Sequence, residues 1–262
     1  MTLEATGRRD LAEFCGEVST IQEVVAALTA IRDAAAADIT RPAVDGISAF
    51  TRLYTIITQN VLDTVEGRRP KREFRDPEFL TLLDLEFAKR YLAAVRAYSE
   101  DSPGTPKAWS VLFRRRRAPG IRHVNFAAAG VNAHVNFDLT FALLETWRTF
   151  PPNRDRHHDY NQVNGIFADE MNGLRDDFDA FLSEIDVDGS PADRMGNLLS
   201  GLLVRWTRAV AWWAARWVWR HYDPVGTLGG LAYRKAYDRM HRRQDRAAQA
   251  VGWAVLKAPR IP

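Results

Sequence analysis

The chain reads as a succession of apolar stripes at helical spacing, separated by short polar breaks. Apolar residues three and four apart share one face of an α-helix, whereas a half-buried strand alternates at every second position. Ile47, Phe50, Tyr54, Ile57 and Val61 follow the first pattern and predict a helix from about Gly46 to Val65, ended by Gly67. Thr20 and Glu23 form a capping box for an earlier helix running to about Ala36. Asp76 as N-cap, Pro77 at the first helical position and Glu78 in the first turn open a third helix. It continues through Leu80, Leu83, Phe87 and Tyr91 to about Tyr98. Thr105-Pro106 opens a short helix holding Trp109, Leu112 and Phe113, and a long helical segment follows from about Gly120 to Thr149. Beyond PPNRDR, Tyr160, Phe167, Met171, Leu174, Phe178 and Phe181 predict a helix over about His157 to Ile185. Ser190-Pro191 opens a tryptophan-rich helix to about Tyr222, and a basic helix ends near Lys257. No run alternates with period two, and no repeat or linker interrupts the pattern. The expectation is an all-α bundle forming a single domain over residues 1–262.

One segment carries more polar residues than packing needs: HVNFAAAGVNAHVNFDLTFALL, from His123 to Leu144. At about 100° per residue, Gly130, His134, Asp138 and Phe141 fall near the direction of His123. Asn125, Asn132, Asn136, Leu139 and Leu143 form an opposite stripe. Apolar side chains fill much of the remaining circumference, which predicts a central helix enclosed by others. A buried polar group without a partner costs about 1–3 kcal/mol. Several on one helix therefore imply either a satisfied internal network or a pocket.

Other helices supply companions. Asp84 lies at helical spacing from Leu80, Phe87 and Ala88 and so faces the core, where a carboxylate must be paired, protonated or metal-bound. His157, Asn161 and Asn164 share a face that continues into Phe167 and Met171. If the three helices adjoin, Asp84, His134, Asp138, His157 and Asn164 converge. The chemical reading is an acid/base centre, with His134 as the reacting group and Asp138 and Asp84 orienting it or stabilising charge. Asn132, Asn136, Asn164 and Tyr160 would position substrate. A metal version uses His134, Asp138, Asp84 and His157 as mixed nitrogen and oxygen ligands, suiting Zn, Fe or Mn. The structural alternative is a register-fixing network in which Asp84 or Asp138 pairs with an arginine such as Arg90 or Arg216.

Composition narrows the classes. There are 36 basic and 33 acidic residues, and a net charge of +3 is too small to argue for nucleic acid. RRRR (Arg114 to Arg117) and the basic run from Arg234 to Arg246 read as solvated surface, because no nucleic-acid motif accompanies them. The lone Cys15 excludes an internal disulfide and a cysteine-rich zinc site. The stretch MTLEATGRRDLAEF has no apolar run, which predicts no secretory signal and a cytoplasmic location. Leu198 to Trp219 is apolar but carries Arg205, Arg208 and Arg216, so a buried helix is expected rather than a membrane span.

In that helix Leu199, Leu202, Trp206, Val210, Trp213 and Trp217 make an apolar stripe expected to pack on the core. Arg194, Arg205, Arg208, Trp212 and Arg216 make a basic edge expected to face solvent. The functional alternative is an aromatic wall including Trp213, with an arginine such as Arg216 holding an acidic group. RDDFDAF (Arg175 to Phe181) lacks the spacing of a diphosphate-binding aspartate motif, and IDVDGS (Ile185 to Ser190) lacks the last ligands of a calcium loop. No nucleotide-cofactor motif, G-x-S-x-G or H-E-x-x-H occurs.

The blocks RDPEFLTLLDLEFAKRYLAAV, AWSVLF, GVNAHVNFDLTFAL and HDYNQVNGIF resemble the actinobacterial domain-of-unknown-function family 5995. They occupy about Phe50 to Phe167, with a weaker echo in ARWVW, inside a core of about residues 46–186 that precedes the C-terminal helices at 190–257. The resemblance implies an all-helical domain. It supplies no chemistry and marks Asp84, His134, Asp138 and Asn164 only as motif positions. The expectation is an enzyme of specialised metabolism that acts on a small, largely apolar molecule by cyclisation, isomerisation or hydrolysis. The other classes left open are a non-catalytic ligand-binding or interaction protein and a protein that associates peripherally with anionic membranes through the arginine-tryptophan helix. A homo-oligomer is equally open.

Overall fold

A computed structural model describes residues 10–37, 45–69, 74–165, 201–223 and 227–257. RDDFDAF, IDVDGS and the expected helix start at Ser190-Pro191 lie outside the described residues. The chain is an all-α bundle, with no strand among the described residues. A short 3-10 turn at Asp10–Phe14 precedes α1 (Ile21–Ala37), α2 (Gly46–Val65), α3 (Pro77–Ser99) and α4 (Lys107–Arg114). Then come α5 (His123–Ala133), a π-helical turn (His134–Asp138) and α6 (Leu139–Thr149), which form one continuous rod. The rest is α7 (154–165), α8 (Gly201–Trp219) and α9 (Thr227–Lys257).

The local signals do what their chemistry dictates. Glu23 N donates to Thr20 Oγ1 at 3.1 Å, and Glu23 Oε2 accepts from the Ser19 and Thr20 amides, closing the capping box. Phe79 N donates to Asp76 Oδ1 at 3.0 Å beside Pro77. Asp45 caps α2 through the Ile47 and Ser48 amides. The other oxygen of that carboxylate corrects the expectation that RRRR is solvated throughout. Arg116 is buried, and its Nε donates to Asp45 Oδ2 at 2.6 Å. A loop arginine therefore ties α4 to the start of α2.

The rod of α5, the π turn and α6 is enclosed by α2, α3, α4, α8 and α9. Its small residues permit close approach. A Cβ on Gly130 would stand 2.3 Å from the Phe50 ring, so α5 and α2 touch nearly backbone to side chain there. Residues 126–129, 133 and 141–144 are essentially inaccessible to solvent, as a central helix requires.

The tryptophan-rich helix α8 is rotated from expectation. Trp206, Val210 and Trp213, assigned to the core-facing stripe, are exposed at 64%, 42% and 62%. Thr207, Arg208, Ala211, Trp212, Ala215 and Val218 are buried instead. The two alanines let α8 lie close to α6, and Trp212 inserts among Trp147, Tyr160 and His157. Close packing of one large ring between small residues outweighs the greater apolar area of the other stripe. Arg208 goes inside with that face. Among the described residues no helix is long and apolar enough to cross a membrane.

Candidate functional site

The site begins with the π turn. Leu139 N donates to His134 O, a bond five residues back rather than four. In a regular α-helix Leu139 would stand about 140° around the axis from His134. The wider turn brings it round to the same side, and Val131, His134, Val135 and Leu139 all line one cavity. This is why the opposite placement of His134 and Leu139 expected from sequence fails.

His134 and Asp138 meet across that turn. Asp138 is 1% exposed, and its Oδ2 accepts from His134 Nδ1 at 3.1 Å and from Trp109 Nε1 at 2.8 Å. Arg90 Nε lies 3.4 Å from Asp138 Oδ1 as an ion pair, with its guanidinium over the Phe137 and Phe141 rings. The bonds to Trp109 and Arg90 fix the carboxylate, and the carboxylate fixes the imidazole. Phe87 stacks on His134 with ring centres 3.4 Å apart, and Tyr54 meets it edge-on at 4.5 Å. Burial lowers the His134 pKa, partly offset by the Asp138 hydrogen bond. The result is a neutral imidazole. Opposite a carboxylate, Nδ1 carries the proton, so Nε2 holds the lone pair. Nε2 is buried and has no hydrogen-bond partner.

The cavity has a volume of about 60 Å³. Its walls are apolar except at Tyr54, Asp84, His134 and Arg208. Each of these four carries a buried polar atom without a hydrogen-bond partner: Tyr54 Oη, Asp84 Oδ2, His134 Nε2 and Arg208 Nε. Burial lifts the Asp84 carboxyl from 3.8 to about 7, so proton donor and proton acceptor forms coexist near neutrality. Burial also holds the Tyr54 phenol well above its ordinary value, with Asp84 adding to the effect. Buried atoms elsewhere, among them Trp147 Nε1, Asp159 Oδ1 and Gln244 Oε1, also have no partner, but here four of them belong to residues around one cavity, which makes this the candidate site.

The remaining candidates separate from this group. Asn132 Nδ2 donates to Ala248 O at 2.7 Å, and its Oδ1 accepts from Asn136 Nδ2 at 2.9 Å. Both asparagines belong to the contact with α9 and neither lines the cavity. Asn125 does the same one step along, donating to Val255 O at 3.0 Å. Asn164 is buried next to the cavity-lining Val163 without lining the cavity itself; its Nδ2 donates to Asn161 Oδ1 at 3.5 Å, and its Oδ1 has no hydrogen-bond partner. Tyr160 spends its hydroxyl on Arg208 O at 2.7 Å. Arg216 and Trp213 are exposed, with the guanidinium over the indole.

His157 stacks on Trp212 at 4.5 Å, where burial and the Arg216 charge lower its pKa. It does not join His134, so the four residues offered as metal ligands are not gathered. Among the described residues no three His, Cys, Asp or Glu side chains could jointly hold a metal ion. His134 and Asp138 are turned on each other instead.

Tyr54 and Arg208 are the polar cavity residues that sequence reasoning missed. Tyr54 sits in an apolar stripe, and Arg208 sits beside arginines that are exposed. A regular period gives no means of telling them from their neighbours. No curated protein and no solved structure matches the chain. The model of DUF5995, a family of unknown function, matches residues 21–258, and the chain belongs to that family.

Proposed function

We propose that the protein is an enzyme moving protons on a small, largely apolar molecule held in the cavity between α2, α3, the π turn and α8. His134 Nε2 is the base. Asp138 is a positioning residue that fixes the imidazole through Nδ1 and stabilises the cation formed when Nε2 takes a proton. Asp84 is the second proton carrier, returning or removing a proton elsewhere on the substrate, and Tyr54 Oη supplies a hydrogen bond. Such a pair serves isomerisation, cyclisation or hydrolysis, because each needs one group to take a proton and another to give one. The observation supporting this most is that the only unsatisfied nitrogen of an otherwise anchored imidazole belongs to a cavity-lining residue.

A binding protein without catalysis is the second reading. The structural work of the same groups favours it, since Asp138 already serves Trp109, His134 and Arg90 within the fold.

The first test needs no substrate. Nitrogen NMR of ¹⁵N-histidine-labelled protein near neutral pH should find His134 protonated on Nδ1 and bare on Nε2. A proton on Nε2 removes the base and overturns the catalytic reading. The second test incubates the protein in D₂O with short-chain ketones, enones, esters and acids and follows deuterium uptake and product by NMR. Turnover of a panel member should vanish in folded His134→Gln and fall in Asp84→Asn. A panel member that binds without exchange or conversion supports the second reading.

A further inference from the structure

Arg208 has no part in that acid/base chemistry, although it is 5% exposed and lines the same cavity. Tyr160 holds it in place. Arg208 Nη2 donates to Tyr160 O at 3.0 Å, Tyr160 Oη donates to Arg208 O at 2.7 Å, and the guanidinium lies 4.3 Å from the Tyr160 ring centre. These contacts fix the fork without neutralising it. Among the described residues no carboxylate bears on it, and Nε has no hydrogen-bond partner. Arg116 is buried to the same degree, and Asp45 answers its charge at 2.6 Å. A buried cation with no acid is expensive, by several kcal/mol for an ion of this kind. The contacts with Tyr160 join α7 to α8 but bring no negative charge, so the cation itself is left to be answered from the cavity.

We infer that Arg208 is the anion-binding subsite of this cavity and that its ligand is a small monocarboxylic acid with an apolar remainder. The inference rests on the acid/base reading only for what happens after binding. The lining decides the kind of anion. One guanidinium edge and the Tyr54 hydroxyl are the donors available, and the other walls are apolar apart from Asp84 and His134. A carboxylate brings one charge and a planar pair of oxygens, which matches a guanidinium edge. A phosphate brings more charge and a third oxygen, which would face apolar side chains or the Asp84 carboxyl. With the carboxylate on Arg208, the apolar carbons lie among Leu53, Leu80, Leu83 and Leu139, within the ring of walls that also holds His134.

Calorimetric titration of the full chain with butyrate, with the isosteric neutral butyramide and with inorganic phosphate tests this. Butyrate should bind roughly tenfold or more tightly than either of the others, the worth of a charge-assisted hydrogen bond. Arg208→Gln should abolish the preference, and Arg216→Gln, an exposed arginine outside the cavity, should keep it. Equal binding of butyrate and butyramide by the wild type, stronger binding of phosphate, or no butyrate binding overturns the inference. The wild-type comparison decides even if Arg208→Gln does not fold. The nitrogen NMR test keeps the two proposals apart. Carboxylate preference with His134 protonated on Nε2 leaves a carboxylate-binding protein without a base, and a bare Nε2 without carboxylate preference leaves the acid/base reading standing alone.

Discussion

The two sides of the central rod bury polar residues in opposite ways. Toward α9, Asn125 and Asn132 donate to helix carbonyls, and Asn136 donates to Asn132. Those groups are answered within the fold, and their work is to fix where α9 lies. Toward α2, α3 and α8, polar side chains meet at a cavity with Tyr54 Oη, Asp84 Oδ2, His134 Nε2 and Arg208 Nε unanswered. Burial and polarity are alike on both sides. Unpartnered atoms occur on the α9 side too, Gln244 Oε1 among them, so the difference is that those facing α2, α3 and α8 gather around one cavity.

Asp138 stands where the two kinds of polarity join, so removing it should have the largest effect. It satisfies Trp109 and His134 and faces Arg90. Asp138→Ala leaves a partly buried cation and two buried donors without an acceptor, and should cost about 3 kcal/mol or more. Urea unfolding measures the loss, and nitrogen NMR of the variant should show His134 released to both tautomers. A loss below about 1 kcal/mol would mean that the carboxylate anchors nothing.

On the α9 side the expected effect is smaller and purely structural. Asn132→Ala removes the donor to Ala248 O and the acceptor of Asn136, which should cost about 1–2 kcal/mol. The butyrate preference should not change. A variant that kept its stability and lost the preference would erase the distinction between the two sides.

The same distinction explains what could be read from the chain. The helices at 21–37 and 77–99 were legible because their caps are local chemistry, a few side chains satisfying the first amides, and the helix at 46–65 because its apolar stripe keeps a regular helical period. The His134–Asp138 pair was legible because helical neighbours at this spacing meet. The direction of Leu139 was not, since a single wide turn changes the register and leaves no trace in a periodic pattern. Arg208 was hidden for another reason. Its burial depends on Tyr160, distant in sequence, and on Trp212 and two alanines choosing the less apolar side of α8 as the inner one.

The smallest predicted effect has the opposite sign and tests whether Asp84, half-buried with its Oδ2 inaccessible, is placed for function rather than for stability. Its carboxyl is lifted from 3.8 to about 7 by burial. An acid whose folded pKa is raised holds its proton in the folded state at a pH where the unfolded chain has lost it. Folding is then favoured least above the folded value, and wild-type stability should decline as pH rises from about 4 through about 7. His134 works against this in the acid range: its lowered pKa contributes stability above 6.5 that is lost as pH falls through the folded value. Asp84→Asn removes the charge but leaves an amide without partners, so the gain is smaller than the whole linkage. The variant should be about 1 kcal/mol more stable than wild type at alkaline pH, and no more stable in mild acid, where the wild-type carboxyl is already neutral. Unfolding curves at the two extremes measure the difference. A variant less stable than wild type in alkali would mean that Asp84 has a structural partner when ionised, and the cavity would lose its second proton carrier.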